Sequence, residues 1–285
     1  MGGIYQVAVL GGKGMLGTDL NEVLMSRGLV PTIYDLPNLD IQNKKQLAMV
    51  LDEADAVVNC AAYTNVDGAE SNVEAAYRVN AEAVGNLGEL AAARNVPVLH
   101  ISTDFVFDGE GDRPYTEEDA VGPLGVYGAS KLKGEQLLAE SGCRYCTVRV
   151  EWTYGRAGNN FIAKILERAR NEQPIKVVDD QIGAPTSTRQ VALALAELLQ
   201  HPDGMAEGLF HFAAAGYTSR FEVARFVIEK TGLDAQLIPC KTSDFPSPAR
   251  RPLNSRFDCR KISRFLAEPI QPWQVPLERY LEKER

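Results

Sequence analysis

Two side chains in this sequence stand at a spacing suited to proton transfer onto a carbonyl. Tyr127-Gly128-Ala129-Ser130-Lys131 sets a phenol and an ammonium four residues apart, and on a helix such residues share one face. A free phenol titrates at about 10, and a neighbouring cation favours phenolate and lowers that value. Tyr127 would then donate its proton to a carbonyl oxygen that is gaining negative charge. Tyr and Lys also meet at this spacing by chance, so the pair gains meaning only from its surroundings. Upstream, the apolar run Val98–Ser102 leads into Thr103-Asp104, at the carboxyl edge where ligands of open α/β sheets bind. The Thr103 hydroxyl would bond the same substrate oxygen. Asn80 is a poor helix former within a helical stretch, and would anchor a water or backbone group relaying protons toward Lys131.

A second constellation suits a dinucleotide. Gly11-Gly12-Lys13-Gly14-Met15-Leu16-Gly17 follows the first apolar run and opens an amphipathic stripe of Leu16, Leu20, Val23 and Leu24. Glycines at 11, 14 and 17 let the chain bend tightly and bring a pyrophosphate against backbone N–H groups at a helix start. Asp35, closing the second run, would accept hydrogen bonds from the adenosine ribose and repel a 2′-phosphate. That tilts the choice toward NADH, while Lys13 in the loop offsets the tilt; NADPH or NADH is expected. Asp40 and Ile41 would border the adenine, although a plain turn serves equally well there. Asn59-Cys60-Ala61-Ala62-Tyr63 follows a further strand end, where small residues admit the cofactor ribose.

The elements that must position these groups are legible as alternation. Gln6–Leu10, Val30–Tyr34, Ala56–Asn59, Val98–Ser102 and Cys146–Val150 are short apolar runs without polar alternation, as strands covered on both faces require. Helical patterns lie between them, a long one over Val73–Arg94 and another over Tyr127–Ser141. This predicts an α/β chain with a doubly wound parallel sheet. Beyond Val150 the texture loosens, with Gly155, Gly158, Pro174, Gly183, Pro185 and a long loop over Ser243–Pro252. We read residues 1–150 as a dinucleotide-binding domain, with 186–214 returning to it through a strand at Leu209–Ala213. Residues 151–185 and 215–285 form a smaller substrate-binding lobe.

Composition sets bounds. The net charge of −8 argues against general nucleic-acid binding, which needs many phosphates neutralised, but not against a small anionic ligand. No apolar run approaches the roughly 20 residues of a membrane span. Met1–Leu10 shows no signal-peptide pattern, so the cytoplasm is expected. The odd number of cysteines, 5, suggests free thiols; Cys143 and Cys146 form a C-x-x-C with no second pair or nearby histidine to complete a metal shell. No metal is expected. A homodimer is compatible with the sequence.

Taken together, the glycine loop, the helical Asn, the strand-end Ser/Thr and Y-x-x-x-K resemble the extended short-chain dehydrogenase/reductase superfamily. More narrowly, the chain resembles the dTDP-4-dehydrorhamnose reductase family nearly end to end. The narrower match is carried by Val58–Asp67, by Ser102–Gly109, by Trp152-Thr153-Tyr154-Gly155, by Gly158–Phe161, by Asp179–Thr186 and by Arg251-Pro252. The resemblance implies a Rossmann-type domain with a small C-terminal substrate domain, and hydride transfer from NAD(P)H to C4 of a dTDP-linked keto-deoxysugar. It implies Thr103, Tyr127 and Lys131 as the catalytic set, and Val66, Asp67, Phe105 and Trp152 around the sugar. An indole face would suit a sugar's C–H surface. Asp104, Asn160 at a helix start and Arg251 would complete the substrate site, Asn160 and Arg251 toward the pyrophosphate.

One residue departs from the family pattern. Glu151 stands before Trp152, where the family carries a small or hydroxyl residue, and a carboxylate there would reshape substrate choice or pair with a base. Two other functions share parts of this pattern. A sugar-nucleotide epimerase would turn over without net consumption of reduced cofactor, and a 4,6-dehydratase would need an acidic pair where Asp104 is followed by Phe105. A regulatory subunit, as in methionine adenosyltransferase, would keep the fold without turnover; retention of Thr103, Tyr127 and Lys131 favours a reductase.

Overall fold

The computed structural model describes residues 6–171, 174–205 and 208–282. The expectation of no leader rested partly on residues 1–5, which lie outside the described residues. The apolar runs form strands β1 (Gln6–Leu10), β2 (Val30–Tyr34), β3 (Ala56–Asn59), β4 (Val98–Thr103) and β5 (Tyr145–Val150). Between them lie helices α1 (Met15–Ser26), α2 (Lys44–Glu53), the short α3 (Val66–Ala69) and α4 (Val73–Tyr77), then α5 (Ala83–Ala92) and α6 (Val126–Glu140). The later chain adds β6 (Thr153–Tyr154), α7 (Phe161–Asn171), β7 (Ile175–Val178), β8 (Ile182–Gly183), β9 (Thr186–Ser187) and α8 (Thr188–Gln200). It closes with β10 (Gly208–Phe212), β11 (Thr218–Ser219), α9 (Arg220–Thr231), β12 (Leu237–Cys240) and α10 (Gln274–Glu282).

Six strands make one sheet in the order β10-β5-β4-β3-β1-β2. Every pairing in it is parallel. The order reverses between β1 and β3, so Gly11 and Cys60, just past the ends of those strands, flank a topological switch point. Leu20 and Leu24 of α1 and Val191 and Leu195 of α8 bury one face of the sheet, while Leu47, Val84, Leu87 and Leu138 bury the other. Each such side chain contributes roughly 1.5–3 kcal/mol by leaving water. A third apolar cluster, around Trp152, Ile162, Ile175, Val223 and Trp273, lies under the C-terminal elements. There β6 pairs with β9, β8 with β11 and β12 with β7.

The expected continuous helix over Val73–Arg94 is interrupted. Residues Arg78–Glu82 form a π-helical turn between α4 and α5. α6 crosses at this point so closely that a Cβ on Gly134 would lie 2.0 Å from the Asn80 carbonyl. Apolar periodicity does not report such a crossing, because the wider turn keeps the same faces inward. The five cysteines are free thiols. No helix among the described residues is long and apolar enough to cross a membrane, and no metal-binding cluster occurs among them.

Candidate active site

α6 carries the Tyr-Lys pair and is fixed at three places. The Val126 N–H donates to Glu70 Oε1 at 2.8 Å. Gly128 sits where a Cβ would fall 2.1 Å from the Phe105 carbonyl, so only glycine lets the helix meet the turn after β4. Further along, Arg149 of β5 donates from Nη2 to Glu135 at 2.6 Å, a pair buried against the sheet. These contacts bring Tyr127 to Thr103. The Tyr127 ring meets Phe105 edge-on at 5.5 Å, beside the Thr103 side chain. Thr103 Oγ1 donates to Asp104 Oδ1 at 3.0 Å and accepts the Phe105 N–H. Ser255, far along the chain, donates to Asp104 Oδ2 at 2.5 Å. Burial pushes the Asp104 carboxyl up, with Ser255 and Thr103 opposing.

The electrostatics of Tyr127 differ from expectation. Its pKa is pushed up to about 12, first by burial, with the Asp104 carboxylate adding to the rise. No lowering by Lys131 operates in this arrangement, because the lysine head turns toward the sheet. Lys131 Nζ donates to the Ile101 carbonyl at 2.6 Å and lies 3.1 Å from His100 Nε2. Asn59 Oδ1 accepts the Ala61 N–H, so Asn59 Nδ2 faces His100 Nδ1 at 3.1 Å as a donor. Burial brings Lys131 down to about 8, and burial together with Lys131 holds His100 well below its usual range. The Asn59–His100–Lys131 chain was not foreseen. Asn80 serves another end than the expected relay to Lys131: its amide clamps both backbone groups of Tyr63 and donates to Ser130 Oγ.

The glycine loop has the shape a dinucleotide needs. Gly11, at φ +70°, lies so close to the next strand end that a Cβ would sit 2.6 Å from the Ala61 nitrogen. Gly14 caps α1 without a side chain, and Thr18 is the first residue to donate back into the helix, to Gly14 O. The N–H groups of Met15, Leu16 and Gly17 are therefore open to an anion. Asp35 stands at the end of β2, where its Oδ2 accepts the Lys13 N–H at 2.9 Å and its Oδ1 accepts the Leu36 N–H. Part of its role is to shape the loop. Asp40 holds its own turn through Gln42, and Ile41 packs into the core rather than against an open adenine face. Cys60, Ala61, Ala62 and Tyr63 line the strand end as expected, with the Cys60 thiol pushed up to about 12 by burial.

A cleft of about 580 Å³ opens at Phe105 and Ser255, the residues bonded to Thr103 and Asp104. Val66, Asp67, Phe105, Trp152, Asn160 and Arg251 line it, joined by Lys164, Gln181, Arg220 and Ser255, which the sequence reading passed over. Two of the expected contacts are already engaged. Arg251 donates to Asp67 Oδ2 at 2.9 Å, strapping the C-terminal loop to α3. The Asn160 amide is spent within the protein, donating to the Gly155 carbonyl and accepting the Ala163 N–H at the start of α7.

Trp152 corrects the picture of an open indole. Its backbone adopts φ +44°, a left-handed conformation that costs about 1–3 kcal/mol for a bulky residue. The turn folds the ring inward, leaving it 9% exposed. Gly183 packs so tightly that a Cβ there would meet Trp152 Cε2 at 2.8 Å, and the Arg220 guanidinium lies 3.7 Å over the ring. Glu151 is fully buried behind it; Oε2 accepts the Ala184 N–H at 3.0 Å, while Oε1 has no hydrogen-bond partner among the described residues. Burial, reinforced by Asp104, raises its pKa well above the usual range. Arg220 had one sequence signal: Ser219 caps α9, and a cation in the first helical turn opposes the helix dipole unless something compensates.

With this geometry in place, comparison decides the family. A family model described as the RmlD substrate binding domain matches residues 5–285. The chain belongs to the dTDP-4-dehydrorhamnose reductase family. A dTDP-4-dehydrorhamnose reductase from Sinorhizobium fredii is 38% identical over 253 residues, covering 85% of this chain and 86% of that protein. Among solved structures, the Clostridium acetobutylicum dTDP-4-dehydrorhamnose reductase superposes with a TM-score of 0.92 at 33% identity, covering 98% of this chain and 99% of the other. The Bacillus anthracis dTDP-4-dehydrorhamnose reductase, solved in complex with NADP, gives 0.92 at 31% identity with the same coverage.

Proposed function

We propose that this protein is an NAD(P)H-dependent reductase of the 4-keto group of a dTDP-linked 6-deoxysugar, converting dTDP-4-dehydrorhamnose to dTDP-L-rhamnose. The observation that carries the reading is the packing of Tyr127 against Phe105, a residue that lines the cleft and whose N–H is held by Thr103. The Gly11 close approach fits a dinucleotide, since any side chain there would occupy the space its backbone must reach. When bound, the reduced nicotinamide supplies the hydride. Thr103 orients the C4 oxygen and Tyr127, still protonated at neutral pH, donates a proton to that oxygen as charge develops. Lys131 would take the nicotinamide ribose once its head group leaves the Ile101 carbonyl. Asp67 and Arg251 brace the cleft toward the nucleotide. We place the enzyme in the cytoplasm, where free thiols such as Cys60 and Cys259 stay reduced.

The test is consumption of NADH and NADPH, followed by loss of nicotinamide absorbance, against dTDP- and GDP-linked 4-keto sugars. Turnover is expected with the dTDP-linked substrate. Tyr127→Phe should lower kcat by about 10² or more, the scale of general acid catalysis. Near-normal turnover in that variant would remove Tyr127 from the chemistry.

A further inference from the structure

Among the described residues, Arg220 is the cation lining the cleft that is not exposed and whose head group the protein leaves without a hydrogen bond. Arg251 is committed to Asp67, Ser247 and the Ala249 carbonyl. Lys164 lies exposed at the rim. The Cζ of Arg220 instead lies 3.7 Å over the Trp152 ring and 4.9 Å from the Phe161 ring centroid. Stacking of this kind occupies the face of a guanidinium and leaves its N–H edge free. Arg220 lines the cleft wall together with Ser255 and Gln181.

The group is also held near the reacting end. Asp104 and Glu151 are the carboxyls that stabilise its charge, and Asp104 is bonded directly to Thr103. Burial brings Arg220 down to about 10, which leaves it cationic at neutral pH. Trp152 is enclosed between Gly183 and Arg220, so a sugar entering the cleft meets the arginine where an open indole would otherwise stand.

We propose that Arg220 is a specificity-determining residue, donating from its free N–H edge to ring hydroxyls of the keto-sugar, with Trp152 and Glu151 as the residues that position it. This rests on the reading of the cleft as a nucleotide-sugar site. Such bonds from a charged donor to a hydroxyl form in the ground state and persist through reaction, so their loss falls mainly on KM.

The experiment compares the parent enzyme with Arg220→Met and Arg220→Lys, measuring kcat and KM for the dTDP-keto-sugar and the affinity for dTDP alone. Arg220→Met keeps the apolar stem on Trp152. It should raise KM by about 10- to 100-fold, the loss expected for one or two charge-assisted hydrogen bonds, with kcat changed less than about threefold. Its affinity for dTDP, which lacks the sugar, should match the parent, and that binding also certifies the fold. Arg220→Lys should fall between the two, because it restores charge without the planar edge. An unchanged KM in Arg220→Met overturns the proposal. Equal weakening of dTDP also overturns it, by assigning the guanidinium to the diphosphate. Absence of turnover by the parent enzyme on any keto-sugar nucleotide removes the functional reading itself, and this inference with it.

Discussion

Both members of the Tyr-Lys pair titrate above neutrality. Tyr127 is pushed up to about 12 and Lys131 is brought down to about 8, each mainly by burial. Tyr127 therefore keeps its proton throughout the working range, and Lys131 is the group that titrates within it. We expect kcat/KM for reduction to fall as pH rises through about 8, where Lys131 loses its charge. A pH–rate profile checks this, and a limb at about 10, where a free phenol titrates, would assign it to Tyr127 instead. Glu151 supplies a second titration. Its folded pKa is raised above the unfolded value of about 4.5, so its contribution to stability is present below that value and is lost as pH rises. Glu151→Gln keeps an acceptor for the Ala184 N–H and has no charge to bury. Its Tm relative to the parent should therefore climb between about pH 5 and about pH 8.

At the scale of elements, the site depends on how closely α6 approaches the end of β4. Gly128→Ala places a methyl against the Phe105 carbonyl, and the helix must back away. Overpacking of this kind costs about 1–3 kcal/mol, and the accompanying shift of Tyr127 should lower kcat more than it raises KM. Thermal melts and steady-state kinetics measure the two effects separately. The glycine loop, the strand-end Thr103 and the Tyr-Lys helix were legible because each is fixed by neighbours within one βα unit. The π-helical turn at Arg78–Glu82 was not, since it answers to α6, a segment distant in sequence. The direction of the Lys131 head was hidden for the same reason: His100 and Asn59 come from two other strands. Arg220 and Ser255 reach the site from the C-terminal third of the chain, and beyond the cation after the Ser219 cap no local pattern marked them.

Across the whole molecule, the cleft is spanned by the Asp67–Arg251 bridge, which joins α3 beside the sheet to the loop after β12. Both side chains are partly exposed, 31% for Arg251 and 42% for Asp67, so the pair itself contributes only about 0.2–1 kcal/mol. Its effect should appear in substrate binding. Asp67→Asn and Arg251→Met should each raise KM, and the double variant should raise it by less than the product of the two. A fully multiplicative double variant would show that the residues act separately.

Ser255 also donates to the carboxylate that orients Thr103. Residues near it bridge back to Tyr115 and Ile182, so this corner is finished by a segment about 150 residues beyond Thr103 in the chain. During synthesis the dinucleotide cradle can form long before anything is present to protonate a ketone correctly. A chain cut ahead of Ser255 would lack the donor to Asp104 Oδ2, leaving Thr103 bonded to a carboxyl with nothing to fix its far oxygen.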